Sequence, residues 1–494
     1  MEPAEEEVDV LVVGCGPVGA LVCALLRCYG VASVLCVERD ACVYPHPRAV
    51  ALDGGVIRLL GLASPALGAW VAQHVLPAAL DVRSGPPGGG WGSFSVLGPF
   101  PPRAVPSAGG YPELSFFHQP SLEAELRRWA FGGGAGGARL VEGAEVSGLR
   151  ALPCAACREA QGRAGGGAAD AWAAARPACA DCRVGALVAA TAEAAGGAGA
   201  APPPRSVRAR WVIGCDGGSS GARRAAGIAY QGSSYPDEPW LVLDVHTTDA
   251  HTAHAWQCFN FVCHPARTYV HCPLPNAGRR YEFLLAPGEA PAHMLQPAVY
   301  TALLASVLGQ PAAARCTVLR AVVYTFHARR AGAWRRGRLF LAGDAAHCMP
   351  PFRGQGLCSG FRDGAALAWR CAALLALARS SCAPPALDSE PLARSLADSY
   401  QSERLGHVTA VTNLSIQLGA LISISRPAWL AHARNAAIAA LNLCPPLQPY
   451  LLFPTGAPPT RQAEEGLFDF GALQEEAGGA GAGRQAQQSP FQML

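Results

Sequence analysis

Lysine is absent from all 494 residues, so the 39 basic side chains are arginines. Without it the chain can form no Schiff base and no Walker-type phosphate contact, which excludes pyridoxal-phosphate enzymes and ordinary P-loop nucleotidases. Charge is also sparse, at 15% of residues with a net +3, and the two signs are interspersed. No polybasic face therefore argues for nucleic acid or an anionic membrane surface, and small molecules are the expected partners. Long apolar runs are missing too: none approaches the roughly 18 residues of a membrane span. The opening Met1-Glu2-Pro3-Ala4-Glu5-Glu6-Glu7 lacks the basic and apolar regions of a secretory signal. No integral membrane span is expected, and the default compartment is the cytoplasm. The nineteen cysteines are scattered through a long chain, which reads as reduced, small core residues rather than a disulfide framework. Oligomeric state leaves no trace in the sequence.

What is present is enough apolar material, half of all residues, for one large core or two smaller ones. Residues 8–13 form a β-branched apolar run of strand length, followed by glycines and a helical spacing from Pro17 to Cys28. A second apolar run from Val31 to Val37 ends at Glu38, completing a βαβ unit of doubly wound type. The predicted fold class is α/β, a Rossmann-like dinucleotide-binding domain with an inserted β-sheet substrate domain. The first domain is expected over 1–235 and 325–425, with an Ala/Gly-rich insertion at 131–204. The β-sheet domain is expected over 236–324, a C-terminal extension over 426–470, and a disordered tail over 471–494.

The chemistry starts at Gly14-Cys15-Gly16-Pro17-Val18-Gly19. Gly14 permits the turn, Gly16 lets backbone amides approach a pyrophosphate at a helix amino terminus, and Gly19 permits close helix packing. Glu38, followed by Arg39, stands where an acid accepts from a ribose hydroxyl. Alone this glycine pattern is weak; with both strands and the acid it predicts a bound dinucleotide. A second stretch, Trp211 to Arg223, carries Gly214-Cys215-Asp216-Gly217-Gly218 at a strand end. A third runs Gly337-Arg338-Leu339-Phe340-Leu341-Ala342-Gly343-Asp344-Ala345-Ala346-His347, then Pro350-Pro351-Phe352-Arg353-Gly354-Gln355-Gly356 and a helix.

The second and third stretches resemble the Asp-Gly and Gly-Asp motifs of the FAD-dependent aromatic hydroxylases, the flavoprotein monooxygenases of p-hydroxybenzoate hydroxylase type. Within them the chain is most similar to the 3-(3-hydroxyphenyl)propionate hydroxylase and polyketide hydroxylase group, through Tyr44-Pro45-His46-Pro47-Arg48, Phe116-Phe117-His118-Gln119, Arg279-Arg280-Tyr281-Glu282-Phe283 and Ser399-Tyr400-Gln401-Ser402-Glu403-Arg404. The resemblance implies FAD as cofactor, NADPH or NADH as electron donor, and an aromatic substrate hydroxylated with O2 through a C4a-hydroperoxyflavin. It implies that Asp344 accepts from the ribityl chain and that Arg48 and Gln119 sit on the phosphate and adenosine side. Asp216 would serve the pyrophosphate and the passing nicotinamide. Pro351 would stiffen the loop, and Gly354, Gly356 and Leu357 would aim a helix amino terminus at the flavin edge, where its positive end favours the anionic reduced ring.

Departures from the pattern are Cys358 and Ala366, where relatives typically carry asparagine. For the substrate, Tyr269, His271, Arg280, Glu282 and Tyr324 are polar or aromatic positions in the predicted sheet; the competing reading is that they are alternating strand residues with no such role, and no catalytic residue is singled out. Cys154-x-x-Cys157 and Cys179-x-x-Cys182 have nearly the spacing of a four-cysteine zinc site, set against low-complexity drift or a redox pair; no metal is otherwise expected. The alternatives to a hydroxylase are an FAD-dependent epoxidase or dehydrogenase of a nonaromatic substrate, and a flavin-binding protein with poor turnover.

Overall fold

The computed structural model describes residues 5–85, 95–100, 111–112, 114–132, 137–163, 170–191, 204–247, 258–380 and 389–441. The tail predicted over 471–494 and the extension beyond residue 441 lie outside the described residues. The chain opens with β1 (Glu5–Val13), α1 (Pro17–Cys28) and β2 (Val34–Val37), then two short helices, then β3 (Leu80–Arg83) and β4 (Ser95–Phe100). There follow α2 (Gln119–Phe131), β5 (Ala138–Val141), β6 (Ala144–Leu152), α3 (Ala155–Arg163), β7 (Arg183–Ala190) and β8 (Arg205–Gly214). The second half holds β9 (Trp240–Thr247), β10 (Phe259–Cys263), β11 (Thr268–Pro273), β12 (Gly278–Leu284), α4 (Pro297–Leu308) and β13 (Cys316–Tyr324). It ends with β14 (Arg335–Arg336), β15 (Leu339–Leu341) and the helices α5 (Gln355–Ser380), α6 (Ser389–Ile422) and α7 (Ala428–Leu441).

The first sheet has the order β14-β15-β8-β1-β2-β5, with β7 joining β8 and β6 joining β7. Its centre is parallel, β1 lying between β8 and β2. That explains why β1 reads as a nearly continuous apolar run: helices cover both faces of a parallel sheet, so both side-chain rows are buried. The helix α1 packs on this sheet and buries Gly19 through Leu26. The second sheet is mostly antiparallel, in the order β13-β9-β12-β11-β10-β3-β4. One of its faces packs under α4 around Leu243, Tyr281, Phe283 and Leu304; the other shares a core with Phe116, Leu418 and Ile422.

Two features differ from the sequence reading. The stretch 131–204, whose small residues read as an insertion, supplies β5, β6 and β7 to the first sheet, β5 pairing parallel with β2. Alanine, glycine and cysteine weaken hydrophobic periodicity without preventing a ladder of backbone hydrogen bonds. The second sheet also reaches outside 236–324, because β3 pairs parallel with β10 across Phe259 and Leu80. A long-range strand partner leaves no local signature.

One described helix, Glu390–Ile422, is long and apolar enough by length and composition to cross a membrane, an 18-residue window in it having a mean hydropathy of 1.3. A core helix can pass the same test, and this one is tied to α5 by buried ion pairs. Arg404 is fully buried against Asp363 of α5, and Glu403 pairs with Arg370 at 2.5 Å.

Candidate functional site

The glycine-rich turn after β1 is forced by contacts. Gly14 has φ +93°, and a Cβ there would lie 2.6 Å from the Cys215 carbonyl oxygen; at Gly19 it would lie 2.0 Å from that of Gly14. These two positions let the end of β8 and the first turn of α1 close on the same point. Glu38 fastens the turn by accepting from the Cys15 amide at 2.7 Å and the Asp40 amide at 3.0 Å. Arg127 of α2 reinforces it by donating to the Cys15 carbonyl at 3.1 Å, while pairing with Glu123 at 2.7 Å.

A cleft runs along this turn, lined by Gly14, Gly16, Glu38, Arg39, Asp216 and Arg127, and by Arg48 and Gln119. It continues through Gly16, Arg48, Gln119 and Gly217 into a cavity of ≈ 370 Å³. A side chain added at Gly16 or Gly217 would meet no atom within 4 Å, so bare backbone faces the shared stretch. The Oδ1 of Asp216 is buried without a hydrogen-bond partner among the described residues, while its Oδ2 accepts from the Ala222 amide at 2.9 Å. An uncapped helix start at Gly16, an open backbone cradle and an orphaned acceptor suit a dinucleotide's pyrophosphate and sugars. Gln119 pins the loop above them, its Oε1 accepting from the Arg48 and Ala49 amides at 3.0 and 2.7 Å.

In the cavity, Asp344 stands at the end of β15, opposite Pro351, Gly354, Gly356 and Leu357. Gly354 turns the chain with φ +62°, a conformation other residues resist, and α5 begins at the next residue. Its first-turn amides therefore open onto the cavity. Asp344 is exposed to the cavity but crowded by protein elsewhere; that desolvation raises its carboxyl pKa, against the opposing pull of His347 and Arg48. Behind it, Asp363 accepts from His347 Nε2 at 2.6 Å, Arg404 Nε at 2.8 Å and the Gly343 amide at 3.1 Å. His347 thus orients the turn from beneath and does not line the cavity.

Of the five substrate candidates, Arg280 and Glu282 line the cavity; Tyr269, His271 and Tyr324 do not. Register explains the correction. Tyr269 pairs with Phe283 and His271 with Tyr281, whereas Val270 pairs with Glu282 and Cys272 with Arg280. Alternate residues face opposite ways, so Val270, Cys272, Arg280 and Glu282 look into the cavity while Tyr269 looks to the α4 side. His271 is fully buried, and burial drives its pKa well below the ordinary value. Tyr324 accepts from Arg320 instead. Leu114, Phe116, Phe259, Phe261 and Phe352 give the cavity an apolar and aromatic side, and Arg353 also lines it. Phe116 and Phe352 belong to stretches that carry the resemblance, and the Phe259-x-Phe261 alternation is the signal that could have revealed the other pair.

Burial raises the Glu282 pKa, partly offset by Arg280, with Asp244 adding to the rise. Arg280 lies 4.0 Å from Glu282, while its hydrogen bonds go to Asp244 at 2.7 Å and to the Pro47 and Arg48 carbonyls at 2.5 and 2.8 Å. The four cysteines Cys154, Cys157, Cys179 and Cys182 come together, though apart from the cleft.

A dinucleotide cleft opening beside an aromatic chamber, with a helix amino terminus at the junction, defines a flavoprotein oxidoreductase. The chain belongs to the FAD binding domain family, whose pattern matches residues 7–69 and 190–415. It is 30% identical over 478 residues to a 3-(3-hydroxy-phenyl)propionate/3-hydroxycinnamic acid hydroxylase of Klebsiella pneumoniae subsp. pneumoniae, covering 96% of this chain and 73% of the relative. A Mycobacterium avium protein of the same name is 32% identical, with 91% and 67% covered. Among solved structures, p-nitrophenol 4-monooxygenase from Pseudomonas putida DLL-E4 shares the fold with a TM-score of 0.68 at 21% identity, over 90% of this chain and 97% of that one. Aklavinone-11 hydroxylase, solved with FAD and aklavinone, gives a TM-score of 0.65 at 22% identity, over 86% and 71%. The protein is an FAD-dependent monooxygenase of the aromatic-hydroxylase type.

Proposed function

We propose that this enzyme hydroxylates a small phenolic compound, taking electrons from NADPH or NADH and one oxygen atom from O2. The observation that carries this reading is the junction itself. Asp344 and the start of α5 meet an aromatic-walled cavity of ≈ 370 Å³ whose sheet side presents the partly buried carboxyl of Glu282. The relatives' names, which specify hydroxyphenyl and hydroxycinnamic acids, support it. When bound, FAD supplies the redox chemistry, passing electrons from the nicotinamide to O2.

The chain's own residues bind, orient and exclude. Amides around Gly16 and the acceptors Asp216 and Glu38 would hold the dinucleotide, and Asp344 would accept from the ribityl chain. Phe116, Phe259, Phe261 and Phe352 stack around a ring and keep water from it. Glu282, ionised, accepts a hydrogen bond from the substrate hydroxyl and draws off its proton, which makes the ring electron-rich. Cys358 and Ala366 are buried outside the cavity wall, so the asparagine departures leave the cavity-facing backbone intact and give no support to a flavin-binding protein with poor turnover.

The test is anaerobic flavin bleaching by NADPH and by NADH, with and without a panel of hydroxyphenyl acids and simple phenols. Acceleration by a phenol is the expected result and identifies the ligand class. Fast bleaching unaffected by any phenol would overturn the aromatic reading in favour of another oxidoreductase.

A further inference from the structure

The β6–β7 hairpin is interrupted at its base. Arg183 pairs with Leu152, and between them the chain makes an excursion that leaves through Cys154 and Cys157 and returns through Cys179 and Cys182. Cys154 precedes α3, which carries Cys157, and Cys182 directly precedes β7. Two Cys-x-x-Cys turns are thereby set face to face. One ligand sulfur from each of the four residues lies within 4.8 Å of the other three, and Cys157, Cys179 and Cys182 are buried. All four are free thiols. The Cys154 and Cys179 sulfurs are 3.7 Å apart. A regular tetrahedron with zinc–sulfur bonds of 2.3 Å has sulfur–sulfur edges of about 3.8 Å, whereas a disulfide needs about 2.05 Å.

The surroundings are those of an anionic centre. Arg338, 1% exposed, donates to the carbonyls of Arg176, Pro177, Cys179 and Arg210 and, among the described residues, to no carboxylate. Arg183 donates to the Cys182 carbonyl, and Arg210 reaches the Ala180 carbonyl. Burying a guanidinium is costly, and Glu390 is a carboxylate that acts on Arg338 at a distance; four thiolates around a divalent ion would add a net −2 beside it.

We propose that Cys154, Cys157, Cys179 and Cys182 bind one zinc ion as four thiolates, a closed structural site that clamps the base of the excursion. Binding releases the thiol protons to water and changes no oxidation state. All four positions are filled by protein, so the site has no opening for a substrate. Its role is mechanical. The excursion sits on the approach to Asp344: a Cβ at Gly337 would lie 2.2 Å from the Trp172 carbonyl oxygen, and Arg338, which anchors the excursion, leads straight into β15. Zinc would hold that strand from behind.

The test uses the full-length chain, expressed with zinc supplementation and purified without chelator, with metals measured by plasma mass spectrometry. Wild type and Cys28→Ser, which alters an exposed thiol elsewhere, should each carry about one zinc per chain, and Cys179→Ser/Cys182→Ser about a tenth or less. Because that double variant can fail to fold, wild type supplies an independent readout. A mercurial thiol reagent should release the zinc, and cobalt reloaded after chelation should give the thiolate charge-transfer band of a tetrahedral sulfur site. Wild type that carries no zinc, stoichiometric iron in place of zinc, or a disulfide among these cysteines would each overturn the proposal.

Discussion

Asp344 and Glu282 share a cavity and have carboxyl pKa values raised by burial, yet their neighbours set them to different tasks. Asp344 sits beside Gly343 on the turn that faces the start of α5, where a sugar chain's hydroxyls need an acceptor. Asp344→Asn keeps the shape and removes the charge, a change of about 1.5–3 kcal/mol for a charged hydrogen bond. FAD should bind about 10- to 100-fold more weakly, read by fluorescence titration of the apoprotein; full FAD retention would sink the assignment. Glu282 faces the substrate side. In the proposed role its working form is the carboxylate, so kcat/KM for a phenol should fall as pH drops through its raised pKa. Glu282→Gln should purify with normal FAD, raise KM about tenfold and lose that acid limb. A Glu282→Gln profile that keeps the limb would place the titrating group elsewhere.

The interface between α5 and α6 shows how an element is fixed by groups that never touch a ligand. Asp363 is held at a pKa of about 2: burial pushes it up, but His347 and Arg404 override that. Its depressed value contributes stability above the ordinary carboxyl range that is lost as pH falls toward 2. His407 lies on the same seam, and burial with the Arg404 charge lowers its pKa from 6.5 to about 3. As pH falls below 6.5 the unfolded chain gains a proton that the folded chain refuses, so stability declines from there down to about pH 3. The slope reaches about 1.4 kcal/mol per pH unit. His407→Gln should therefore lessen the dependence of Tm on pH between about pH 6 and pH 4 and leave in place the loss below that to which Asp363 contributes. An unchanged slope in scanning calorimetry would show that His407 is not the group responsible. Asp363→Ala should be far more damaging, by about 3–5 kcal/mol, because it strands the buried Arg404 charge. Elements of this kind also show where sequence reading stops. The β1–α1–β2 unit was legible because a buried parallel strand, a glycine turn and a helix each leave a local pattern. The strands β6 and β7 were not, since their alanines and glycines pair through backbone alone. For β11 and β12 the alternation was visible, but the choice of Arg280 and Glu282 over Tyr269 and His271 for the cavity was not. It depends on α4 covering the opposite face, a partner distant in sequence.

At the scale of the whole molecule the question is how a cofactor on one sheet is coupled to a substrate on the other. The loop at residues 47–49 touches both. From the first sheet's side, Gln119 at the start of α2 accepts from the Arg48 and Ala49 amides. From the second sheet, Arg280 donates to the Pro47 and Arg48 carbonyls while paired with Asp244, and Arg320 also reaches Pro47 at 3.1 Å. Asp244 is 4% exposed, so Arg280→Met leaves it only Arg320 at 3.5 Å and should cost about 3–5 kcal/mol in stability. That loss alone would not distinguish a joint from an ordinary buried pair. A double-mutant cycle does. Gln119→Ala and Arg280→Met each release the same loop from one side, so if the loop is the joint, either change should weaken FAD binding. The pair should then weaken it by less than the sum, with an interaction of about 0.5–3 kcal/mol. Strictly additive losses in FAD affinity would mean that the two anchors act independently and that the coupling between cofactor and substrate runs through the cavity wall instead.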